Sequence, residues 1–105
     1  MSGETYGLPE SAIAQLRAVF AGWPQISRVW LYGSRAKGNY RPGSDIDLTI
    51  DADELSLGQV LAIENQIDDL LLPWMVDLSL RQDIDNPALL EHIQRVGRIF
   101  YERAV

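Results

Sequence analysis

Three aspartates stand where aspartate fits poorly. Asp47 lies between Ile46 and Leu48, and Asp77 lies between Val76 and Leu78, each inside an apolar run that reads as a β-strand. Aspartate is a weak strand former, and a lone buried carboxylate costs several kcal/mol or shifts its pKa until it is neutral. Asp45 precedes Asp47 by two positions, so on a strand both side chains project to the same side. If the strand of Asp77 pairs beside theirs, all three carboxylates converge and repel one another. A hard divalent cation relieves that repulsion, and carboxylate oxygens suit Mg²⁺ or Mn²⁺ completed by substrate phosphates. Two such ions ~3.5–4 Å apart, bridged by a shared aspartate, would activate an attacking oxygen and hold a leaving phosphate. The bland alternative for Asp45, which follows Gly43-Ser44, is a turn aspartate. It does not account for the trio, because local rules fail together mainly at functional sites. Asp83 and Asp85 compete for the place of the third acid, but they precede Pro87 in a polar turn where helix capping explains them better.

Gly33-Ser34 directly follows an apolar and aromatic run, Ile26 to Tyr32. Glycine there lets the backbone approach a ligand closely. If the chain turns into a short helix, the first amides point outward and form an anion site. The Ser34 hydroxyl would bond a terminal phosphate, and Arg35 and Lys37 would add positive charge. Alone, the dipeptide is no more than a tight strand-to-helix turn.

These residues need elements to position them. A helix is expected from Leu8-Pro9-Glu10, with Ala12, Ile13, Leu16, Val19 and Phe20 on one face, ended by Gly22 and Pro24. Residues 1–7 read as a frayed end. Strands follow at Ile26–Tyr32, Asp45–Ile50 and Trp74–Leu80, the second with Ile46, Leu48 and Ile50 opposite Asp45, Asp47 and Thr49. A helix from Ser56 to Leu71 opens with capping-box spacing, Ser56 to Gln59, and Pro73 stops it. Pro87 starts a last helix that runs to about Gly97, and Arg98–Tyr101 continues as strand or helix tail. Trp30 reads as core. Trp23 and Trp74 read as core cover or partner contact, Tyr40 as a loop anchor, and His92, beside Glu91 on a helix, as a surface residue. The order predicts an α/β (α+β) fold, a small mixed β-sheet flanked by helices.

Composition narrows the class. In 105 residues there is no cysteine, one histidine, and a net charge of −6. A disulfide scaffold, a thiolate or multi-histidine zinc site, and a conventional Ser-His-Asp triad are set aside. The acidic balance argues against gripping nucleic acid by its backbone, so no direct nucleic-acid binding is expected. No apolar run approaches a membrane span, and residues 1–7 lack a basic start and an apolar segment, so neither a membrane nor a secretory signal is expected and the location reads as cytoplasmic.

Together, Gly33-Ser34, the ten residues Arg35 to Ser44, Asp45-Ile46-Asp47, and Asp77 on a later strand resemble the DNA polymerase β-like nucleotidyltransferase superfamily, whose signature is Gly-Ser-x10-Asp-x-Asp. Gly-Ser-Arg-Ala-Lys-Gly at 33–38 and Ser44 before the acidic pair fit the wider pattern. The short chain is similar to the minimal nucleotidyltransferases, MntA-like antitoxin partners of HEPN-domain toxins. The resemblance implies one nucleotidyltransferase domain over 1–105 and transfer of AMP from ATP to a tyrosine hydroxyl of a HEPN ribonuclease. It implies that Gly33 and Ser34 hold the triphosphate, with Arg35 and Lys37 as auxiliary phosphate contacts. Asp45, Asp47 and Asp77 would be catalytic and would ligate two Mg²⁺ ions, Asp77 also helping to deprotonate the acceptor. A module that neutralises its partner by contact and a small-molecule nucleotidyltransferase are the alternatives. A homodimer and a hetero-oligomer are both left open.

Overall fold

A computed structural model describes residues 4–104. Its elements run β1 (Glu4–Thr5), β2 (Leu8–Pro9), α1 (Glu10–Ala21), β3 (Ile26–Tyr32), α2 (Gly33–Lys37), β4 (Ile46–Ala52), α3 (Leu57–Asp68), β5 (Val76–Leu80), a 3₁₀ turn (Arg81–Asp83), α4 (Pro87–Val96) and β6 (Arg98–Glu102). The main sheet has the order β5-β4-β3-β6. β3 pairs antiparallel with β4 and β6, whereas β4 and β5 are parallel. The expected mixed sheet flanked by helices is what the chain forms.

The parallel pair follows from connectivity, since α3 carries the chain back across the sheet before β5 begins. α3 opens on the expected capping box, with Ser56 and Gln59 each satisfying the other's backbone N–H. α4 opens on Asn86, whose side chain accepts from the Ala88 and Leu89 amides, with Pro87 as the first helical residue.

Strand alternation divides the sheet into two unlike faces. Val29, Leu31, Ile46, Leu48, Ile50, Leu78, Leu80 and Phe100 form the buried face, packed with Leu16 and Phe20 of α1 and Val60, Ile63 and Ile67 of α3. Asp47, Thr49 and Asp51 lie on the opposite side of β4, aligned with Asp77 and Ser79 of β5 and with Tyr32 and Trp30 of β3. α4 packs over the β3 side of this polar face and anchors through Ile93. Thr49 is fully buried there and is satisfied by Ser79, whose hydroxyl donates to Thr49 Oγ1 at 3.0 Å.

Three expectations are corrected. Leu8-Pro9 is a strand rather than a helix start, because it pairs with Glu4–Thr5 in a hairpin. Tyr6 and Gly7 turn that hairpin with φ of 58° and 73°, the two positive values such a tight turn requires. Residues 4–7 are therefore structured, and the rest of the end read as frayed, 1–3, lies outside the described residues. Trp30 is not core. It stands on the polar face, and its Nε1 donates to Asp51 Oδ2 at 2.8 Å. Of the two readings left open for Arg98–Tyr101, strand or helix tail, the strand is the one found, as Arg98–Glu102, because β3 offers it an open edge. Among the described residues, no helix is long and apolar enough to cross a membrane.

Candidate functional site

The polar face ends in an acidic corner where β4 and β5 begin. Asp47 and Asp77 are register partners in the parallel ladder, so their side chains stand side by side on one face. Asp45 lies immediately before β4 and is exposed, as is Asp77, while Asp47 is half-buried. Burial pushes the Asp47 carboxyl pKa above its ordinary value, and the neighbouring Asp77 and Asp45 charges push it further. Among the described residues no basic side chain forms an ion pair with any of the three. The corner is thus a set of carboxylates without an ion-pair partner among the described residues.

Gly33 sits against this corner. It begins α2 with φ of 74°, and a Cβ added there would fall on Asp47 Oδ2, well inside contact distance. Only glycine meets both demands. Ser34 follows in the first turn of α2, and its carbonyl accepts from the Gly38 amide at 2.9 Å, closing the helix on a left-handed glycine with φ of 91°. With five residues, α2 offers an anion the amides and hydroxyl of its first turn rather than a macrodipole. Lys37 ends α2 and is exposed. We expect Gly33→Ala to lower stability by roughly 2–4 kcal/mol, the sum of a strained φ and a clash. Chemical denaturation measures this, and an Ala variant as stable as the parent would contradict the close Gly33–Asp47 approach.

Arg35 departs from its expected place beside phosphate. It is 1% exposed, and its guanidinium is committed to backbone carbonyls. Nε and Nη2 donate to the Ser44 carbonyl at 3.1 and 2.8 Å, Nη2 to Pro42 at 3.2 Å, and Nη1 to Tyr6 at 2.9 Å. The rings of Tyr40 and Trp74 flank it at 5.3 and 5.9 Å. Burial lowers its pKa, partly offset by Tyr40 and Asp45. The physical reason is reach. Loop 38–45 folds back over α2, and a planar donor fork fits converging carbonyls where no other side chain does. Arg35 therefore holds the loop that delivers Asp45, and Trp74 serves the same loop by donating Nε1 to the Pro42 carbonyl at 3.0 Å.

Two residues at the corner were not anticipated as part of a site. Tyr32 is buried and pairs across from Asp47. Burial raises its hydroxyl pKa, Ser79 offsets part of the rise, and Asp77 and Asp47 add to it. Its place at the strand end before Gly33 was the only sequence cue. His92, expected at the surface, instead accepts the Gly33 N–H through Nε2 at 3.1 Å and meets the Tyr32 ring edge-on at 6.2 Å. No sequence cue announces a contact spanning 59 positions. Asp83 and Asp85 stay in the turn before α4.

The carboxylate set suits a hard cation in donor chemistry. Among the described residues, however, no cluster of three or more metal-ligating side chains is drawn together as a ready cage. Mg²⁺ held by such carboxylates usually completes its shell with substrate phosphates and water.

Residues 14–104 match the family model described as Polymerase beta, Nucleotidyltransferase. Solved structures share the fold. A chain of a toxin–antitoxin complex with AMP-PNP aligns at TM-score 0.68 and 23% identity over 90% of this chain and 74% of that one. A chain of the tri-AMPylated Shewanella oneidensis HEPN toxin in complex with MNT antitoxin aligns at TM-score 0.65 and 17% identity, covering 89% and 71%. A Sulfolobus solfataricus protein assigned as a nucleotidyltransferase aligns at TM-score 0.52 and 20% identity over 98% and 93%. At these identities the likeness is one of fold. No curated protein matches the sequence.

Proposed function

Because the chain belongs to the polymerase beta nucleotidyltransferase family, we propose that its acidic corner transfers AMP from ATP to a hydroxyl, a tyrosine of a HEPN-type toxin, and that the protein acts as the antitoxin of that pair. The observation that carries the reading is the in-register pair Asp47–Asp77, set with Asp45 beside Gly33-Ser34 on the open face of the sheet. The partner class is taken from the solved complexes that share the fold, one with AMP-PNP and one holding a tri-AMPylated HEPN toxin. The reading treats 1–105 as a single nucleotidyltransferase domain.

In this reading Gly33 and Ser34 bind the triphosphate, Gly33 by letting the backbone turn close against the Asp47 carboxylate and Ser34 through its hydroxyl and amide. Lys37, exposed at the end of α2, supplies positive charge nearby. Asp45, Asp47 and Asp77 would hold two Mg²⁺ ions. The ions supply charge neutralisation at the phosphates and a lowered pKa at the attacking hydroxyl. Asp77, exposed and nearest the open side, takes the proton of the acceptor hydroxyl. The acceptor oxygen attacks the α-phosphorus in line, the bond to the bridging oxygen breaks, and pyrophosphate leaves. Asp47 stands against Gly33 and in register with Asp77, which places its carboxylate at the corner.

Two measurements test this. Incubation with ATP labelled at the α-phosphate, Mg²⁺ and a HEPN-domain partner is expected to label the partner, and Asp47→Asn is expected to abolish the label. Inhibition of the partner that survives Asp47→Asn, with no label in the parent protein, would instead indicate neutralisation by contact. Thermal melting gives an independent check. Mg²⁺–ATP at about 100 times its Kd should stabilise the fold by about 2.7 kcal/mol through mass action, whereas Mg²⁺ alone should do less because it usually binds through one or two carboxylates together with substrate phosphates. An equal shift with Mg²⁺ alone would contradict the phosphate-dependent site.

A further inference from the structure

At the acidic corner, a contact that the transfer chemistry does not use falls on the glycine turn. His92, on α4, accepts the N–H of Gly33. α4 does not need this bond to dock, since Ile93 is already buried at 2% exposure and Asn86 caps the helix start. The bond falls on the one residue at the corner with a left-handed backbone, whose missing side chain leaves room for the Asp47 carboxylate. Gly33 is thus held from two sides, by Asp47 against its Cα and by the imidazole on its amide. The Tyr32 ring, at 6.2 Å and 81° to the imidazole, fixes the direction from which His92 approaches. Glycine is the residue most free to rotate, so an unpinned Gly33 would sample other φ values and carry the first turn of α2 with it. Ordering that turn would then fall to the bound nucleotide and weaken its affinity.

We propose that His92 is a positioning residue for the nucleotide. Through Nε2 it pins the Gly33 amide and so presets the backbone on which Ser34 receives the triphosphate. The role rests on the nucleotidyltransferase reading of the same corner. It assigns His92 no contact with substrate and no proton transfer. It makes the C-terminal helix α4 part of the nucleotide site, although that helix contributes no acid to it.

The test separates the hydrogen bond from packing. Binding of Mg²⁺–AMP-PNP is measured by calorimetry for the parent protein, His92→Ala, His92→Phe and His92→Gln, and each unliganded variant is melted. Phe keeps the ring beside Tyr32 but offers no acceptor, whereas Gln offers an acceptor oxygen near the position of Nε2. Loss of one neutral hydrogen bond is expected to weaken binding about five- to tenfold in Ala and Phe, with Gln within about twofold of the parent. In turnover the change should appear in KM for ATP and hardly in kcat, as expected for a group that acts on binding. Parent-like binding by Phe overturns the role, as does a Gln variant as weak as Ala. A parent protein that binds no Mg²⁺–AMP-PNP overturns the nucleotide reading and this role together, whereas parent binding matched by Phe overturns this role alone.

Discussion

Asp47→Asn is expected to abolish nucleotidyl transfer and, at neutral pH without nucleotide, to make the protein more stable. Both effects come from one carboxylate. Asp47 is half-buried, it stands in register with Asp77, and Asp45 lies two residues away. Burial is the main reason its pKa is raised, followed by Asp77 and then Asp45. A raised native pKa means that the folded protein binds the proton more tightly than the unfolded chain. The charged form is therefore penalised in the fold. The penalty is fully present above the native pKa and disappears as the pH falls below the unfolded value near 4. Asparagine keeps the shape and removes the charge, so melting should rise by about 2–5 °C at pH 7–8, a gain that shrinks toward zero in acid. Transfer should fall by at least about a hundredfold, because the lost charge serves phosphate chemistry worth several kcal/mol. A variant less stable than the parent at pH 8 would contradict the repulsion. A variant with parental transfer would remove Asp47 from the chemistry.

Arg35→Ala is expected to cost about 3–5 kcal/mol, enough to leave much of a marginally stable domain unfolded at 37 °C. The side chain is 1% exposed, and its guanidinium bonds the carbonyls of Tyr6, Pro42 and Ser44 between two aromatic rings. Alanine would take the guanidinium donor from the Tyr6 and Ser44 carbonyls, leave Pro42 with Trp74 alone, and open a void between the Tyr40 and Trp74 rings. Melting should drop by at least about 12 °C. Arg35→Lys should recover less than half of the loss, because one ammonium cannot span three carbonyls set in a fork. A phosphate-contacting arginine would behave differently, with Lys folding normally and only nucleotide affinity falling. Melting curves of the two variants decide between these roles.

The acidic corner was legible in the sequence because its signals are local. Asp45 and Asp47 share a parity on one strand, Asp77 breaks an apolar run on another, and Gly33-Ser34 marks a turn after a third. The alternation around Ile46, Leu48 and Ile50 named the buried face, and the core is built on it. Arg35 was misread for a local reason as well. A basic residue two positions after a glycine in a candidate phosphate loop looks like a phosphate ligand until loop 38–45 is seen folding back over it. The parity that marked Asp47 as exceptional also placed Trp30 on the polar face, but an indole reads as core by type, and only its bond to Asp51 shows otherwise.

The sequence by itself determined which face of each strand is apolar, which stretches carry the helices around the sheet, and which acids break the pattern. Residue type and a period of two or 3.6 act over a few positions and need no partner. Tertiary structure decided that β4 and β5 run parallel with Asp47 level with Asp77, that Arg35 turns inward, and that His92 reaches back across 59 positions to the Gly33 amide. Those outcomes depend on which backbone groups remain to be satisfied after the chain has crossed itself, and no stretch of neighbouring residues carries that information.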